Sequence, residues 1–306
     1  MVTTTWRDEY QARVKAPCRA DVPLAPLTTF RIGGAADLVV EPRSEADAVE
    51  AVAVAAELAV PVTLLGGGSN VLVADRGVRG IVLRLAGRLS QVLVTDDGRR
   101  VDVGAGAPFP RLTKVCMALG WERSDGWVGT PGTVGGALVM NAGSREGEIG
   151  EVVESVRLIV DGHATTFIRA QCGFEYRKSA FPRGALILSA VLRCDSADPA
   201  RAAYVEERGH QALLRRKRSQ PREHSAGSIF KNPPGGSAGK LIEETGLKGA
   251  RQGGAVISPV HANFIVNTGG ATAADVVALA ELARTRVRER TSVELEWEVR
   301  RIGEFQ

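Results

Sequence analysis

The stretch 125–143 constrains the possible fold more than any other part of the chain. It reads Asp-Gly-Trp-Val-Gly-Thr-Pro-Gly-Thr-Val-Gly-Gly-Ala-Leu-Val-Met-Asn-Ala-Gly and contains six glycines. Because glycine loses more backbone entropy on folding than other residues, this density indicates a backbone that turns sharply or lies close to a ligand. The apolar run 134–140 after Pro131 predicts a short helix, whose first N–H groups suit a phosphate or an electron-rich ring edge. A tight surface loop is the alternative.

Composition narrows the class of protein. A chain of 306 residues predicts two or three domains. The net charge of +4 is a mild basic bias that suits anionic small ligands at least as well as nucleic acid. No CxxC or metal-ligand spacing occurs, which favours reduced cytoplasmic thiols and no metal site. These thiols are Cys18, Cys116, Cys172 and Cys194. The apolar segment 49–65 is interrupted by Glu50, Glu57 and Pro61, so a membrane span is not expected.

Short β-rich runs alternate with single helices, which predicts α+β sheets rather than an uninterrupted doubly wound sheet. Helices are expected at 44–58 and from 272 onward, where Ser44 and Thr272 are each followed three residues later by aspartate. Two further helices are expected at 109–119 and 202–218. Strands are expected at 38–40, 62–65, 71–73, 81–85, 92–95, 101–103, 152–160, 164–168, 185–193, 255–257, 263–267 and 293–302. Residues 1–27 form a polar lead-in without a predicted element.

A strand followed by a glycine loop at 66–70 suggests a nucleotide-binding fold. The P-loop form is excluded because no lysine follows these glycines. The dinucleotide form is excluded because Phe109 stands where the third glycine after Gly104 and Gly106 belongs. The loop 66–70 can still wrap a diphosphate with its backbone N–H groups.

Two charged patterns leave alternatives open. Arg215, Arg216, Lys217 and Arg218 end a predicted helix, where a solvated, dipole-favoured helix end is the simplest interpretation. A diphosphate clamp is the second interpretation, and a nucleic-acid patch is weakened by the lack of interleaved aromatic residues. Glu294, Glu296 and Glu298 lie on one face of the last predicted strand, usually the solvent side, although one carboxylate could point into a cleft.

Seven separated stretches, in this order, carry a resemblance to a known family. They are Thr29-Phe30-Arg31-Ile32-Gly33-Gly34, Leu65-Gly66-Gly67-Gly68-Ser69-Asn70, Gly129-Thr130-Pro131-Gly132-Thr133-Val134-Gly135-Gly136-Ala137, Met140-Asn141-Ala142-Gly143, Cys172-Gly173-Phe174-Glu175-Tyr176-Arg177-Lys178-Ser179, Gly227-Ser228-Ile229-Phe230-Lys231-Asn232-Pro233 and His261-Ala262-Asn263-Phe264-Ile265-Val266-Asn267. Together they resemble the UDP-N-acetylenolpyruvoylglucosamine reductase family, flavoenzymes that complete UDP-N-acetylmuramic acid for peptidoglycan. The short link 179–185 resembles the subtype that lacks a tyrosine-bearing insertion.

The resemblance implies a two-subdomain FAD-binding fold of the vanillyl-alcohol-oxidase type with a C-terminal α+β substrate domain. The expected boundaries are 1–85 and 86–198 for the two FAD-binding subdomains and 199–306 for the substrate domain. FAD is expected to bind noncovalently, because no histidine precedes His163 in the early loops. The implied cofactor-binding residues are Gly66, Gly67, Gly68, Ser69, Asn70, Val71, Gly129, Thr130, Pro131, Gly132, Gly135, Gly136 and Asn141.

The resemblance also implies the reaction, in which NADPH reduces FAD and the enolpyruvyl ether of UDP-N-acetylglucosamine enolpyruvate is then reduced. Arg177 matches the family residue that stabilises the enolate-like dianion, Ser228 the proton donor to C2, and Glu298 the carboxyl that polarises the substrate carboxylate. Glu296 is the register-shifted alternative to Glu298. Tyr176, Lys231 and Asn232 are expected at the substrate.

The expected partners are therefore NADPH and this substrate, with no nucleic acid or membrane, for a cytoplasmic monomer. Two alternative functions are weighed against this one. The first is another FAD-dependent oxidase or dehydrogenase of the same fold. The second is a nucleotide- or RNA-binding protein that uses the basic cluster at 215–218.

Overall fold

The structure, a computed structural model, describes residues 5–305. Helices α1 to α8 of this range are, in chain order, Trp6–Arg13, Glu45–Glu57, Phe109–Ala118, Val134–Val139, Arg169–Cys172, Ala202–Ser219, Ala238–Glu244 and Ala273–Thr291. Strands β1 to β16 are Cys18–Pro23, Ala35–Val40, Val62–Leu64, Val71–Val73, Val78–Leu83, Val92–Thr95, Arg100–Gly104, Gly143–Ser144, Gly147–Glu148, Val153–Val160, His163–Ile168, Leu186–Arg193, Arg251–Gln252, Ala255–Ile257, Ile265–Asn267 and Arg300–Ile302. Most predicted helices and strands are confirmed to within a few residues.

The described residues fall into two compact units, neither of which is continuous in sequence. The first unit holds everything up to Ala20, then Leu38–Gly67 and Gly80–Leu214. The second holds Asp21–Asp37, Gly68–Arg79 and everything from Arg215 onward. The expected boundaries at 85/86 and 198/199 divide the chain into three consecutive segments. This division stays a prediction.

A five-stranded sheet, in the order β11-β10-β12-β7-β6, is a main feature of the first unit. Strands β10 and β11, expected at 152–160 and 164–168, pair antiparallel with Val160 opposite His163 and form a hairpin around Asp161-Gly162. Both turn residues have positive φ, 48° and 79°, as a two-residue hairpin turn of this hand requires. Helix α3 buries Phe109, Leu112 and Cys116 in the core that includes this sheet.

The first unit has another core around α2, which begins as the capping signal predicts. The Ser44 side chain accepts a hydrogen bond of 3.1 Å from the Asp47 N–H and so satisfies one unpaired donor of the first turn. Ala48, Ala51 and Ala55 of this helix are buried. Helix α1 was not expected, because its sequence is mostly polar. It is held by one buried side chain, Tyr10, whose hydroxyl donates to the Ala51 carbonyl over 3.0 Å.

The second unit is organised around α8, where the predicted capping box is confirmed. The Thr272 hydroxyl accepts from the Asp275 N–H, and the Asp275 carboxylate accepts from the Thr272 N–H. One apolar face of this helix is buried, comprising Val276, Leu279, Ala280, Ala283 and Val287. Phe30, Ile32 and Leu72 belong to the same core, although they precede Thr272 by 200 to 242 residues.

The prediction of one strand over 293–302 is wrong. Regular pairing is confined to β16, which lies parallel to β4 with Arg300 opposite Val71. The preceding residues contact a different partner, since the Glu298 N–H donates to the Ile229 carbonyl over 2.8 Å and Trp297 bridges Phe230. Because the partner changes between Glu298 and Arg300, no continuous hydrogen-bond ladder forms.

A histidine in the second unit makes stability depend on pH. His261 packs edge-on to Phe264, and its Nδ1 accepts from the Asn263 N–H over 3.2 Å. Burial lowers the pKa of His261 below its ordinary 6.5. The unfolded chain therefore binds this proton more readily, so the stabilisation present above 6.5 is lost as the pH falls through the folded-state pKa.

We expect the wild type to lose more unfolding free energy than His261→Gln when the pH falls from about 7.5 to about 5.5. Chemical denaturation monitored by circular dichroism measures this difference. His163→Gln, at an exposed position in β11, is the matched control. Equal losses in the wild type and His261→Gln would contradict the assignment to this histidine.

Candidate active site

The two glycine loops predicted to hold the cofactor contact one another within the first unit. A Cβ on Gly67 would stand 2.6 Å from the Gly132 Cα, and a Cβ on Gly66 would overlap the Thr133 Oγ1. The close approach of the two backbones therefore requires glycine at position 67, whereas a side chain at position 66 would displace the Thr133 hydroxyl. Within residues 5–305, no protein group accepts from the N–H groups of Gly66 and Gly67. Gly66 is exposed, so this N–H pair can receive an anion.

The helix predicted after Pro131 is confirmed as α4, but its first N–H groups are already used. The Val134 N–H donates to Ala107 over 2.9 Å and the Gly135 N–H to Ala105 over 2.8 Å. The expectation that these two groups face a phosphate or a ring edge is therefore wrong. The loop before α4 is shaped by Gly129 and Gly132, whose φ values of 76° and 106° disfavour side chains. Gly136 is exposed, and a Cβ there would make only an ordinary contact of 3.7 Å with the Thr133 Oγ1.

The remaining part of the first glycine loop belongs to the second unit. The Gly68 carbonyl accepts from the Thr29 N–H over 3.0 Å. Asn70 links this loop to the C-terminal segment, because its Nδ2 donates to the Glu298 carbonyl over 3.1 Å and its carbonyl accepts from Arg300. Asn70, which is expected at the cofactor, is therefore hydrogen-bonded to Glu298, which is expected in catalysis.

Arg177 and Asn141, which are 36 residues apart (177 − 141), meet around Glu148 in the first unit. The Arg177 Nη2 donates to the Gly143 carbonyl over 3.1 Å, and its Nη1 lies 3.9 Å from the Glu148 Oε1. The Asn141 Nδ2 donates to the Glu148 Oε2 over 2.6 Å. The Asn141 Oδ1 accepts from the Gly150 N–H over 3.0 Å, so this amide is used inside the protein.

A tight turn over 175–178 presents the Arg177 side chain. The N–H groups of Glu175 and Lys178 each donate to the carbonyl of the other residue. Arg177 has a φ of 55°, a left-handed conformation that costs energy for a residue with a side chain. The exposed Tyr176 ring lies 5.0 Å from the Arg177 guanidinium carbon, within the range of a cation–π contact.

Sequence reasoning did not identify Glu148. Strands β8 and β9 form a short hairpin that pairs Gly143 with Glu148 and so brings this carboxylate to the Arg177 turn. Burial raises the pKa of the Glu148 carboxyl, and the Arg177 charge opposes this rise. Glu148 follows the glycine-rich stretch 125–143 by five residues, but spacing in the sequence does not show that its carboxylate reaches Arg177.

Ser228 opens an extended segment, 228–231, in the second unit. One side of this segment contacts 263–264, because Ser228 bridges Phe264 and the Ile229 N–H donates to the Asn263 carbonyl over 2.8 Å. Gly227 precedes it with a φ of 80° and no neighbouring atom where a side chain would stand. Among the described residues, no protein group hydrogen-bonds to the Ser228 hydroxyl. This hydroxyl can therefore serve a ligand.

The other side of the same segment contacts 296–298. The two candidate glutamates in this stretch differ in burial and in their contact with Lys231. The Glu296 carboxylate is exposed and lies 2.5 Å from the Lys231 Nζ, whereas Glu298 is partly buried. Lys231 is thus paired with Glu296 rather than with Ser228. Asn232 Oδ1 accepts from the Ala238 N–H over 3.0 Å at the start of α7, which leaves its Nδ2 as the side-chain donor.

Comparisons with known proteins assign this arrangement to a family. A family model described as an FAD binding domain matches residues 36–166, and a model described as the C-terminal domain of UDP-N-acetylenolpyruvoylglucosamine reductase matches 220–302. The reductase of that name from Anaeromyxobacter sp. (strain Fw109-5) is 46% identical over 98% of this chain and 93% of its own length. The chain belongs to the UDP-N-acetylenolpyruvoylglucosamine reductase family.

Other relatives extend this similarity to the fold. The reductase from Phenylobacterium zucineum is 42% identical over 98% of this chain and 99% of its own. The crystal structure of the reductase from Thermus caldophilus matches with a TM-score of 0.78 and 38% identity, over 94% of this chain and 99% of that one. The predicted fold class is confirmed, and the chain is an FAD-containing oxidoreductase of this reductase family.

Two structural features are absent from the described residues. Across 5–305, no helix has the length and apolar character needed to cross a membrane. Over the same residues, His, Cys, Asp and Glu side chains form no group of three that could hold a metal ion.

Proposed function

We propose that this protein uses NADPH to reduce UDP-N-acetylglucosamine enolpyruvate to UDP-N-acetylmuramate. The observation that carries the proposal is the position of the Arg177 guanidinium, which the Gly143 carbonyl holds at a strained turn. The chain around it matches the reductase from Anaeromyxobacter sp. (strain Fw109-5) over 98% of its length. Reduction of an enol ether that bears a carboxylate requires such a charge, because negative charge develops on the carboxylate in the transition state.

The glycine loops fit the FAD diphosphate. The N–H groups of Gly66 and Gly67 have no acceptor among the described residues, and a side chain at position 67 would clash with the backbone of the second glycine loop. Gly68, Ser69, Asn70 and Val71 continue this loop, and 129–132 with Gly135, Gly136 and the Asn141 backbone form the second cofactor segment. FAD held there would supply the hydride-transfer chemistry that connects NADPH with C3 of the enolpyruvyl group.

Each catalytic side chain has one role in this proposal. Arg177 stabilises the enolate-like dianion of the substrate, since a guanidinium stays charged and presents a rigid fork of donors. Ser228 gives its proton to C2, and the free hydrogen-bonding capacity of its hydroxyl supports that role. Glu298 polarises the substrate carboxylate in preference to Glu296, because the Glu296 carboxylate is exposed and paired with Lys231.

Three side chains complete the proposed substrate site. Tyr176 lines it beside Arg177 and is an exposed residue. Lys231 holds the diphosphate or sugar after exchanging its pairing with Glu296 for the substrate. Asn232 contributes its Nδ2, since its Oδ1 is used at α7.

Anaerobic absorbance of the flavin tests the function directly. Addition of NADPH should bleach the visible band, and subsequent addition of UDP-N-acetylglucosamine enolpyruvate should restore it. Bleaching without recovery would reject this substrate while keeping the flavoenzyme. Rapid recovery with oxygen, accompanied by productive turnover of an alcohol or sugar, would favour an oxidase instead.

The contact between the two glycine loops predicts the effect of Gly67→Ala. The φ of Gly67 is not positive, so the added methyl acts through its clash with the backbone at Gly132. Overpacking of this kind costs about 1–3 kcal/mol, and we expect FAD to bind roughly tenfold to hundredfold more weakly.

Quenching of flavin fluorescence by the apoprotein measures this FAD affinity. Gly236→Ala is the control, because a methyl there meets atoms no closer than 3.4 Å. An unchanged affinity in Gly67→Ala would remove this loop from the cofactor site.

We further propose that the protein works as a cytoplasmic monomer without nucleic-acid or membrane partners. The basic residues 216–218 lie in the last turn of α6, where they complement the helix dipole, which supports a solvated helix end. Light scattering after size exclusion measures the mass, and a dimer would contradict the monomer.

A further inference from the structure

A partly buried series of polar contacts leads from Asn141 through Glu148 to Arg177. The Asn141 side chain is almost fully buried and is held at three points, by Glu148, the Gly150 N–H and the Glu175 carbonyl. Its Nδ2 donates to the Oε2 of Glu148, which fixes one carboxylate oxygen. The other oxygen, Oε1, is the one that lies 3.9 Å from the Arg177 Nη1.

This series of contacts holds the Arg177 guanidinium from the protein side. The Glu148 and Arg177 side chains are only 26% and 22% exposed, so solvent screens their attraction less than at an open surface. Their 3.9 Å separation is longer than a hydrogen bond, so Glu148 orients the charge without a direct bond to Nη1. The Gly143 carbonyl provides the direct bond, to Nη2.

The backbone is strained at both Asn141 and Arg177, as is typical of sites where the position of a side chain serves function rather than stability. Asn141 has a φ of 44° and Arg177 a φ of 55°. These two residues are the first and the last of the series of contacts. Strain at both ends is retained when the surrounding contacts over-determine the position of the side chain.

We propose that Glu148 is a positioning residue for the reduction of the substrate, acting through Arg177 and anchored by Asn141. The proposal rests on the proposed function and adds a residue to it. A free arginine side chain samples many rotamers, and a fixed carboxylate restricts that freedom before the substrate arrives. Arg177 is then preorganised for the charge that develops on the substrate carboxylate.

Glu148→Gln tests this in the FAD-loaded enzyme. Glutamine keeps the volume and can still accept from Asn141, but it then presents an NH₂ group toward the guanidinium. We expect flavin reduction by NADPH at the wild-type rate, and recovery with UDP-N-acetylglucosamine enolpyruvate about tenfold to hundredfold slower, the size of effect expected from a misplaced catalytic group. The thermal midpoint and bound FAD should match the wild type.

Glu151→Gln is the matched control. Glu151 lies three residues further along the chain and pairs with Arg123 rather than with Arg177. Its recovery rate should equal that of the wild type. Equal recovery rates in Glu148→Gln and Glu151→Gln would overturn the proposal, as would an equal slowing of both half-reactions in Glu148→Gln together with loss of FAD.

A double-substitution cycle separates action through Arg177 from a general structural role. In an Arg177→Ala background, Glu148→Gln should slow recovery no further, because the group that it positions is absent. A second tenfold loss in that background would overturn the proposal. Failure of the wild type to recover with this substrate would instead reject the proposed function, so the two failures are distinguishable.

Discussion

Ser228→Ala is expected to leave flavin reduction by NADPH unchanged and to slow recovery with UDP-N-acetylglucosamine enolpyruvate by about 10²–10⁴-fold, the contribution of a positioned general acid. The reason is that Ser228 acts after hydride transfer, as the proton donor to C2. Its hydroxyl makes no hydrogen bond to the described protein, so alanine removes no internal contact there. Anaerobic stopped-flow absorbance of the flavin measures both half-reactions separately.

Ser219→Ala provides the matched control for this prediction. Ser219 ends α6 at an exposed position, where its hydroxyl donates to the Arg215 carbonyl over 3.0 Å. The control should show both half-reactions at wild-type rates. If Ser228→Ala also recovers at the wild-type rate, the proton comes from another donor and the assignment of Ser228 fails.

Arg177→Lys should slow the same recovery by roughly 10²–10³-fold, the cost of removing a fixed donor from developing negative charge. Lysine keeps the positive charge, but it lacks the planar fork that reaches the Gly143 carbonyl and faces Glu148. The same measurement applies, and flavin reduction by NADPH should remain at the wild-type rate.

Arg183→Lys is the control for that substitution, since Arg183 is exposed and lies six residues further along the chain. It should behave as the wild type does. A full rate in Arg177→Lys would show that charge alone suffices, and the argument from a fixed guanidinium would then fail.

Local signals in the sequence predicted those elements whose stabilising contacts lie within a few residues. Ser44 and Thr272 accept hydrogen bonds from N–H groups three residues later, so the starts of α2 and α8 follow from spacing alone. The Asp161-Gly162 turn likewise determines its hairpin. The family motifs located the glycine loops and Arg177, because each motif is contiguous.

Contacts between distant segments could not be predicted in this way. The last strand was overextended because alternation of polar and apolar residues does not reveal that 296–298 and 300–302 have different partners. The N–H groups at the start of α4 looked available in the sequence, but the carbonyls of Ala105 and Ala107 occupy them.

The sequence by itself determined the family, the FAD-binding class and the capped helices, because short-range hydrogen bonds and contiguous motifs carry that information. Only the tertiary structure decided that Phe30, Ile32 and Leu72 join the core of α8. It alone also placed Glu148 between Asn141 and Arg177. These arrangements depend on chain segments that approach one another after folding, and burial and charge pairing, rather than spacing in the sequence, select which segments meet.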